Sequence, residues 1–448
     1  IKIGGGNYGT SYGEGQYLKT ELKKYQIGIY GRHLASALGP VKYSATSANK
    51  LEVFGHYYLK KALINGNIGY NRNVYHFYGY RSDSVPDNAS QIRQIIPQFY
   101  IAAGIEKVDT NPRFNYSFQN QYSIISNRFN ARENEYTGDL RLGYKIDNIS
   151  RIILHSSLSA SQITDSTSLS RNLFTLRPEY ERDINEKFTI KGGLNVAVEN
   201  DTVKNTNRVH VYPVVNAQYQ LFEKLQVFGG IDGGMEKNTL RSYLNQNPWL
   251  TKRVNLVHTN KRYEFYAGLQ GNLTNYIFFK ISPSYARYQN LYFFVNDSLD
   301  PSKFDVEYER KGTDVVKIQN ELSYQPTQVF KLGAKATYYS YSMQQLEKAW
   351  HRPGFELTLY GNYNLFDKLA IELDIFYISG IIARDYTVKD RQKALKEIID
   401  LNLSATYKIT DRLSSYLYLY NILNQNYYRY NNYQSKGINV LLGITYAF

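Results

Sequence analysis

Cysteine is absent from all 448 residues. The chain therefore has no disulfide, no thiolate metal site and no cysteine nucleophile. Tryptophan and methionine occur only twice each. No apolar run reaches the roughly 18 residues of a membrane-crossing helix, which argues against a helical membrane protein. No basic leader followed by an apolar stretch opens the sequence, so Ile1 is not expected to be the translated start of an exported protein. Gly-x-Ser-x-Gly elbows and P-loops are missing too. Gly4-Gly5-Gly6 precedes no helical pattern, so it reads as a strand start or bulge rather than a phosphate cradle. None of the seven histidines (His33, His56, His76, His155, His210, His258, His351) has a partner at ligand spacing. They are expected to be polar inner-wall or interface residues, with no metal, no cofactor and no enzymatic role.

Aromatic residues are abundant instead, with 45 Tyr and 21 Phe. The net charge is +14, yet the charges are scattered and no basic helix accompanies them. Nucleic acid is therefore not an expected partner. Anionic lipid head groups, or an anionic substrate or partner, fit better. Mean hydropathy is negative at -0.48. Hydrophobicity is spread over every second residue, as in membrane β-barrels, whose aromatic residues gather at the two interfaces.

The alternation is explicit. Leu369, Ile371, Leu373, Ile375 and Tyr377 interleave with Ala370, Glu372, Asp374 and Phe376. Leu401, Leu403, Ala405, Tyr407 and Ile409 interleave with Asn402, Ser404, Thr406 and Lys408. Phe355, Leu357, Leu359, Gly361, Tyr363 and Leu365 interleave with Glu356, Thr358, Tyr360, Asn362 and Asn364. Successive strand residues face opposite ways, and the second face is too polar for a dry core. A soluble sandwich also has one apolar and one polar face per strand, but not this uniform repeat or these strand lengths. Arg72, Glu356, Glu372, Asp374 and Lys408 are the charged positions expected to face a wet lumen.

Short polar turns punctuate the alternating runs. The clearest are Ile184-Asn185-Glu186-Lys187-Phe188, Phe222-Glu223-Lys224-Leu225, Phe366-Asp367-Lys368-Leu369 and Thr410-Asp411-Arg412-Leu413. Weaker ones are Leu22-Lys23-Lys24-Tyr25, Lys60-Lys61-Ala62, Asn111-Pro112-Arg113, Asp147-Asn148-Ile149, Thr274-Asn275 and Pro326-Thr327-Gln328. Tight polar connections of this kind read as hairpin turns. Ten such turns and eleven long loops give an all-β, antiparallel transmembrane barrel of about 22 strands with both termini periplasmic. One misplaced turn would make it 20 or 24. The first pair is expected to be short, Ile1 to about Gly9 and about Gly15 to Leu22. Long loops are expected at Leu38 to Ala48, Arg81 to Ala89, Arg241 to Asn260, Asn296 to Gly312, Met343 to Pro353 and Arg384 to Ala394.

The last strand is the most informative. Ile438, Val440, Leu442, Ile444, Tyr446 and Phe448 share one face; Asn439, Leu441, Gly443, Thr445 and Ala447 share the other. An apolar strand that ends in Phe resembles the C-terminal assembly signal of bacterial outer-membrane barrels. The row Val440, Leu442, Ile444, Tyr446, Phe448 is expected to be read by the barrel-assembly machinery and then to face lipid. It must also pair with the strand near Ile1 to Gly9 to close the barrel.

The strand count, the Tyr446-Ala447-Phe448 end and the stretch Tyr418-Leu419-Tyr420-Asn421-Ile422-Leu423-Asn424-Gln425-Asn426-Tyr427 resemble the TonB-dependent receptor family. Gly4-Gly5-Gly6-Asn7-Tyr8, His33-Leu34-Ala35-Ser36 and Tyr70-Asn71-Arg72-Asn73-Val74-Tyr75-His76-Phe77-Tyr78-Gly79 look like its Bacteroidota branch. The resemblance implies an outer-membrane location, contact with lipid and lipopolysaccharide, and a filled lumen. The family's TonB-binding segment and globular plug have no counterpart in residues 1–448, which are expected to form one barrel domain. Two functions follow as expectations. One is a plugless receptor-like subunit within a multiprotein outer-membrane complex, its lumen filled by a plug, inward-folded loops or a partner polypeptide. The other is a TonB-dependent uptake transporter for a bulky solute, with its plug outside this sequence.

Overall fold

The computed structural model describes residues 1–21, 24–80, 84–108, 113–165, 167–201, 208–252 and 254–448. Twenty-two strands form one antiparallel sheet closed on itself. Each strand pairs with its chain neighbour, and the first, Lys2–Gly6, pairs with the last, Asn439–Tyr446. The closing register runs from Lys2 opposite Thr445 to Gly6 opposite Leu441. The Ile1 amino group donates to the Tyr446 carbonyl at 2.8 Å. Closure leaves no unpaired backbone edge, the condition for crossing a hydrocarbon layer with strands.

The two ends of the barrel differ. Short turns join Ala62–His76 to Thr46–Tyr58, Phe188–Glu199 to Ser168–Asn185, Leu225–Glu236 to Arg208–Phe222, and Leu369–Ser379 to Phe355–Leu365. These are the turns expected at 60–62, 185–187, 223–224 and 366–368. Two of the expected turns, Leu22-Lys23 and Asn111-Pro112, lie partly outside the described residues, as does Arg81 at the start of one expected loop. At the opposite end the loops are unequal. The segments at 237–258, 290–312, 344–354, 380–397 and 421–438 are long. Three connections are short, however. Strand Thr10–Glu21 starts right after the 7–9 turn, Ser126 and Arg132 pair across a tight connection, and Ser168 pairs directly with Thr164. The expectation of eleven long loops, and of a second strand beginning near Gly15, is corrected accordingly. Gly13 and Gly15 pair within the strand, because a glycine does not end a strand whose neighbours on both sides supply hydrogen bonds.

The outer face carries the apolar residues. Ile27, Ile29, Leu51, Val53, Ile64, Ile68 and Ile101 lie exposed on adjacent strands. Soluble monomers rarely expose a contiguous apolar patch above roughly a few hundred Å². A belt of this kind is stable only against lipid. The inner face carries Asn, Gln, Glu, Lys and Tyr. Its ion pairs run along strands, as in Arg177 to Glu179 at 2.8 Å, Lys261 to Glu264 at 2.8 Å and Lys50 to Glu52 at 3.1 Å, and across them, as in Arg177 to Asp232 at 3.1 Å and Lys191 to Glu179 at 3.6 Å.

Candidate functional site

The long loops turn inward and pack on one another. The 237–258 loop begins at Asn238, whose side-chain amide donates to the Val257 carbonyl at 2.7 Å and the Thr259 hydroxyl at 3.0 Å. Thr239 then caps the helix Leu240–Gln246, and its hydroxyl and that of Ser242 bond reciprocally to each other's backbone N–H. This satisfies two donors that a helix start leaves free. Leu240, Tyr243 and Leu244 point into a buried cluster with Ile96, Phe294, Phe304 and Tyr433.

Charged residues on the inner wall hold this loop. Lys237 and Arg241 both pair with the Glu135 carboxylate, at 2.6 and 3.0 Å. The Arg241 backbone N–H donates to Glu133 at 3.2 Å. Arg171 is only 1% exposed. Its guanidinium bonds Asp201 at 3.1 Å, the Asn238 carbonyl at 2.8 Å and His258 Nδ1 at 3.1 Å. Burial, reinforced by the Arg171 charge, pushes the His258 pKa down to about 3. A neutral imidazole that accepts at Nδ1 fits its two donors, Arg171 and the Asn238 N–H.

A hairpin, Leu291–Asn296 with Phe304–Glu309, lies next to the helix. Tyr308 and Tyr243 share a hydroxyl–hydroxyl bond of 2.8 Å. The fully buried Glu309 carboxylate accepts from the backbone N–H groups of Lys311 at 3.0 Å, Gln345 at 2.7 Å and Leu346 at 2.7 Å. It thereby ties the 344–354 loop to the hairpin. In that loop Trp350 packs on Leu291, Phe293 and Val295. His351 donates from Nδ1 to the Phe294 carbonyl at 2.7 Å and accepts at Nε2 from the Asn431 N–H at 3.2 Å. Complete burial pushes the His351 pKa down to about 4, with nearby Arg429 lowering it further.

The 421–438 loop completes the assembly. Tyr433 stacks on Trp249 with ring centroids 3.7 Å apart, and Tyr78 meets Tyr433 edge-on at 4.8 Å. The Tyr433 hydroxyl donates to the Ser302 carbonyl. Tyr430 donates to the Gln246 carbonyl at 2.9 Å. These contacts join segments that leave the wall at widely separated strands. A 22-stranded barrel is roughly 40 Å across at the usual strand spacing and tilt. Loops from such separated strands meet only by reaching over the mouth. They form a cap with a dry aromatic core.

Beneath the cap the inner wall encloses a cavity of about 640 Å³ beside the closing strands. Lys2 and Arg32 line one side, Glu372 and Asp374 the other. Glu372 accepts from the Ser404 hydroxyl at 3.2 Å. Glu356 stands opposite Thr337 in the sheet, beside Tyr339, another inner-wall residue. Lys408 is at the short-turn end, where it pairs with the exposed Asp411 at 2.7 Å. Arg72 is the exception. It shares its face with Ile64, Ile68 and Tyr70, which are exposed on the outer wall. The expectation that Arg72 faces inward is corrected: the apolar side chains fix which way the strand turns, and the lone charge follows. On the last strand Leu442 is 60% exposed, with Ile444, Tyr446 and Phe448 also on the outside, whereas Leu441 is buried. Val440 is half-buried.

Inward-folded loops are among the fillers expected from sequence, but the residues that join them, Arg171, His258, Glu309, Trp249 and Tyr433, were not anticipated. A usable signal existed, since both tryptophans fall in segments expected to be loops. Among the described residues no group of three or more His, Asp or Glu could hold a metal ion.

A closed 22-stranded barrel with an apolar outer belt and a polar interior is an integral protein of the bacterial outer membrane. No protein-family profile and no curated protein matches this sequence. Solved structures do match in fold. The chain is similar to the pyoverdine outer membrane receptor FpvA from Pseudomonas aeruginosa PAO1, at 12% identity and a TM-score of 0.76, covering 100% of this chain and 78% of that one. It is similar to the copper transporter OprC at 12% identity and 0.73, covering 100% and 79%. The FrpB iron transporter from Neisseria meningitidis gives 11% identity and 0.74, covering 100% and 80%. The architecture resembles that of TonB-dependent receptor barrels.

Proposed function

We propose that this chain is the barrel of a receptor-like outer-membrane subunit that works within a multiprotein complex. In this reading residues 1–448 form one barrel domain with both termini periplasmic and the capped end facing outward. The lumen is filled by a plug or partner polypeptide from outside these residues, and Glu356, Glu372, Asp374 and Lys408 meet that filler. The row Val440, Leu442, Ile444, Tyr446, Phe448 is read by the barrel-assembly machinery. Phospholipid and lipopolysaccharide surround the belt, as expected for the Bacteroidota branch that the sequence resembles. The cap carries this reading. A pore for free diffusion keeps its mouth open, whereas here loops from around the rim bury aromatic and ionic groups across it. Such a fixed surface suits recognition.

The second reading is TonB-dependent uptake of a bulky solute. The likeness to receptors and transporters of similar fold favours it. Planar-bilayer recordings on protein purified from outer membranes test occlusion: no large stable channel is expected, and large steady currents would overturn the first reading. The precursor sequence upstream of Ile1 separates the two. A TonB-binding segment and plug there, with uptake lost when TonB is deleted, would favour transport.

A further inference from the structure

Across three adjacent strands the inner wall sets three nitrogen-bearing side chains side by side. Arg141 stands directly opposite His155, and His155 directly opposite Arg177. Side chains so paired are only about 5 Å apart at Cβ, close enough to act on one ligand. All three line a cavity of about 340 Å³ under the 237–258 loop, with Ser157, Thr175 and Lys237 among the other walls. We propose that this row binds an oxyanion, a carboxylate or phosphate group brought into the lumen beneath the cap.

The neighbouring charges show which member is free to do so. Arg177 is occupied by Glu179 at 2.8 Å and Asp232 at 3.1 Å. Lys237 is occupied by Glu135 at 2.6 Å. Glu179 also takes Lys191 at 3.6 Å. Asp139 is the one carboxylate lining the cavity itself, and it makes no ion pair among the described residues. Arg141 likewise has none among the described residues, and its side chain is exposed to the cavity. Its guanidinium offers a planar fork of donors that suits carboxylate or phosphate. His155 adds a ring N–H beside it. The Ser157 hydroxyl, 2.6 Å from that of Thr175, supplies a further donor one register step along. An anion seated there would accept from the Arg141 guanidinium and from the His155 ring N–H together.

The inference rests on reading the lumen as the working space of a receptor-like barrel. The oxyanion has two possible sources, a free solute or an acidic side chain of the lumen-filling polypeptide. Protein purified from outer membranes is titrated calorimetrically at low ionic strength with inorganic phosphate and with citrate. If the source is a solute, the wild type binds at least one probe. Arg141→Gln then binds it about tenfold more weakly, the loss typical of one charge-assisted contact. Arg141→Lys recovers part of that loss, and the outer-wall control Arg72→Gln changes nothing. If the source is the filler, neither probe binds, and Arg141→Glu makes the lumen polypeptide sensitive to protease. Heat-modifiable gel mobility reports folding of each variant, and His155→Asn stands in should Arg141→Gln fail to fold. Binding that is the same in wild type and Arg141→Gln overturns the proposal. So does an absence of both probe binding and any effect of Arg141→Glu. Channel recordings test the receptor reading separately.

Discussion

Tyr416 lies over Gly443, the residue directly opposite it in the neighbouring strand. A side chain at Gly443, or at Gly4 on the first strand, would collide with its ring. Lys2 sits above the same ring at 4.3 Å. The pattern recurs around the inner wall: Phe54 covers Gly28, Tyr100 covers Gly69, Tyr266 covers Gly230, Phe228 covers Gly268 and Tyr360 covers Gly333. A glycine leaves bare backbone in a sheet, and the opposing aromatic ring covers it.

Tyr416→Ala should therefore destabilise the barrel near its closing strands by about 3 kcal/mol, as large-to-small core changes do. Tyr416→Phe should be neutral or slightly stabilising, because the buried hydroxyl has no hydrogen-bond partner and its removal ends that cost. Gly443→Val should lower the folded fraction more than either. Urea unfolding followed by heat-modifiable gel mobility ranks the three.

On the last strand, Leu442→Arg places a charge on the outer wall and should cost ~2–4 kcal/mol near the bilayer midplane. Thr445→Arg places it inside and should be better tolerated. Deletion of Phe448 should reduce folded protein in the outer membrane before it alters any activity. Equal damage from Leu442→Arg and Thr445→Arg would refute the assignment of faces.

The cap should loosen on acidification. His351 has a pKa near 4 when folded, against an ordinary value of about 6.5. Between these values the open form binds more protons than the closed form, so closure weakens as pH falls. Its contribution is complete above about pH 6.5 and is lost progressively toward pH 4. His258 acts in the same direction down to about 3. Hydrogen exchange of the 344–354 and 421–438 loops should quicken through this window, with the barrel strands unaffected. His351→Asn should flatten the response.

Glu309→Ala should free the 344–354 loop, because it strands the buried N–H groups of Gln345 and Leu346. A local cost of about 2–4 kcal/mol is expected. Limited proteolysis should cut near Gln345 in this variant and not in the wild type, with heat-modifiable mobility preserved.

The barrel was legible because its signal is local. Leu373 and Ile375 against Glu372 and Asp374 reveal a strand and both its faces within a few residues. Asn185 to Lys187 and Phe366 to Lys368 mark turns by composition alone. Arg72 was misread because its charge was weighed above the parity of Ile64, Ile68 and Tyr70. The cap was not legible. Trp249 and Tyr433 are far apart in sequence and meet through loops with no periodicity, and Arg171 finds His258 only once the loop between strands has folded back. Nothing local to either residue encodes such a meeting.

The bond from Ile1 to Tyr446 spans nearly the whole chain, a separation of 445 residues. The strand Lys2–Gly6 precedes every other strand of the barrel in the sequence and cannot find its second neighbour until Asn439–Tyr446 exists. For all that time one edge of the growing sheet stays open, and open edges recruit other strands. Long-range pairing is also the slowest to form. Until the barrel closes, its own final strand competes for that edge with any foreign one.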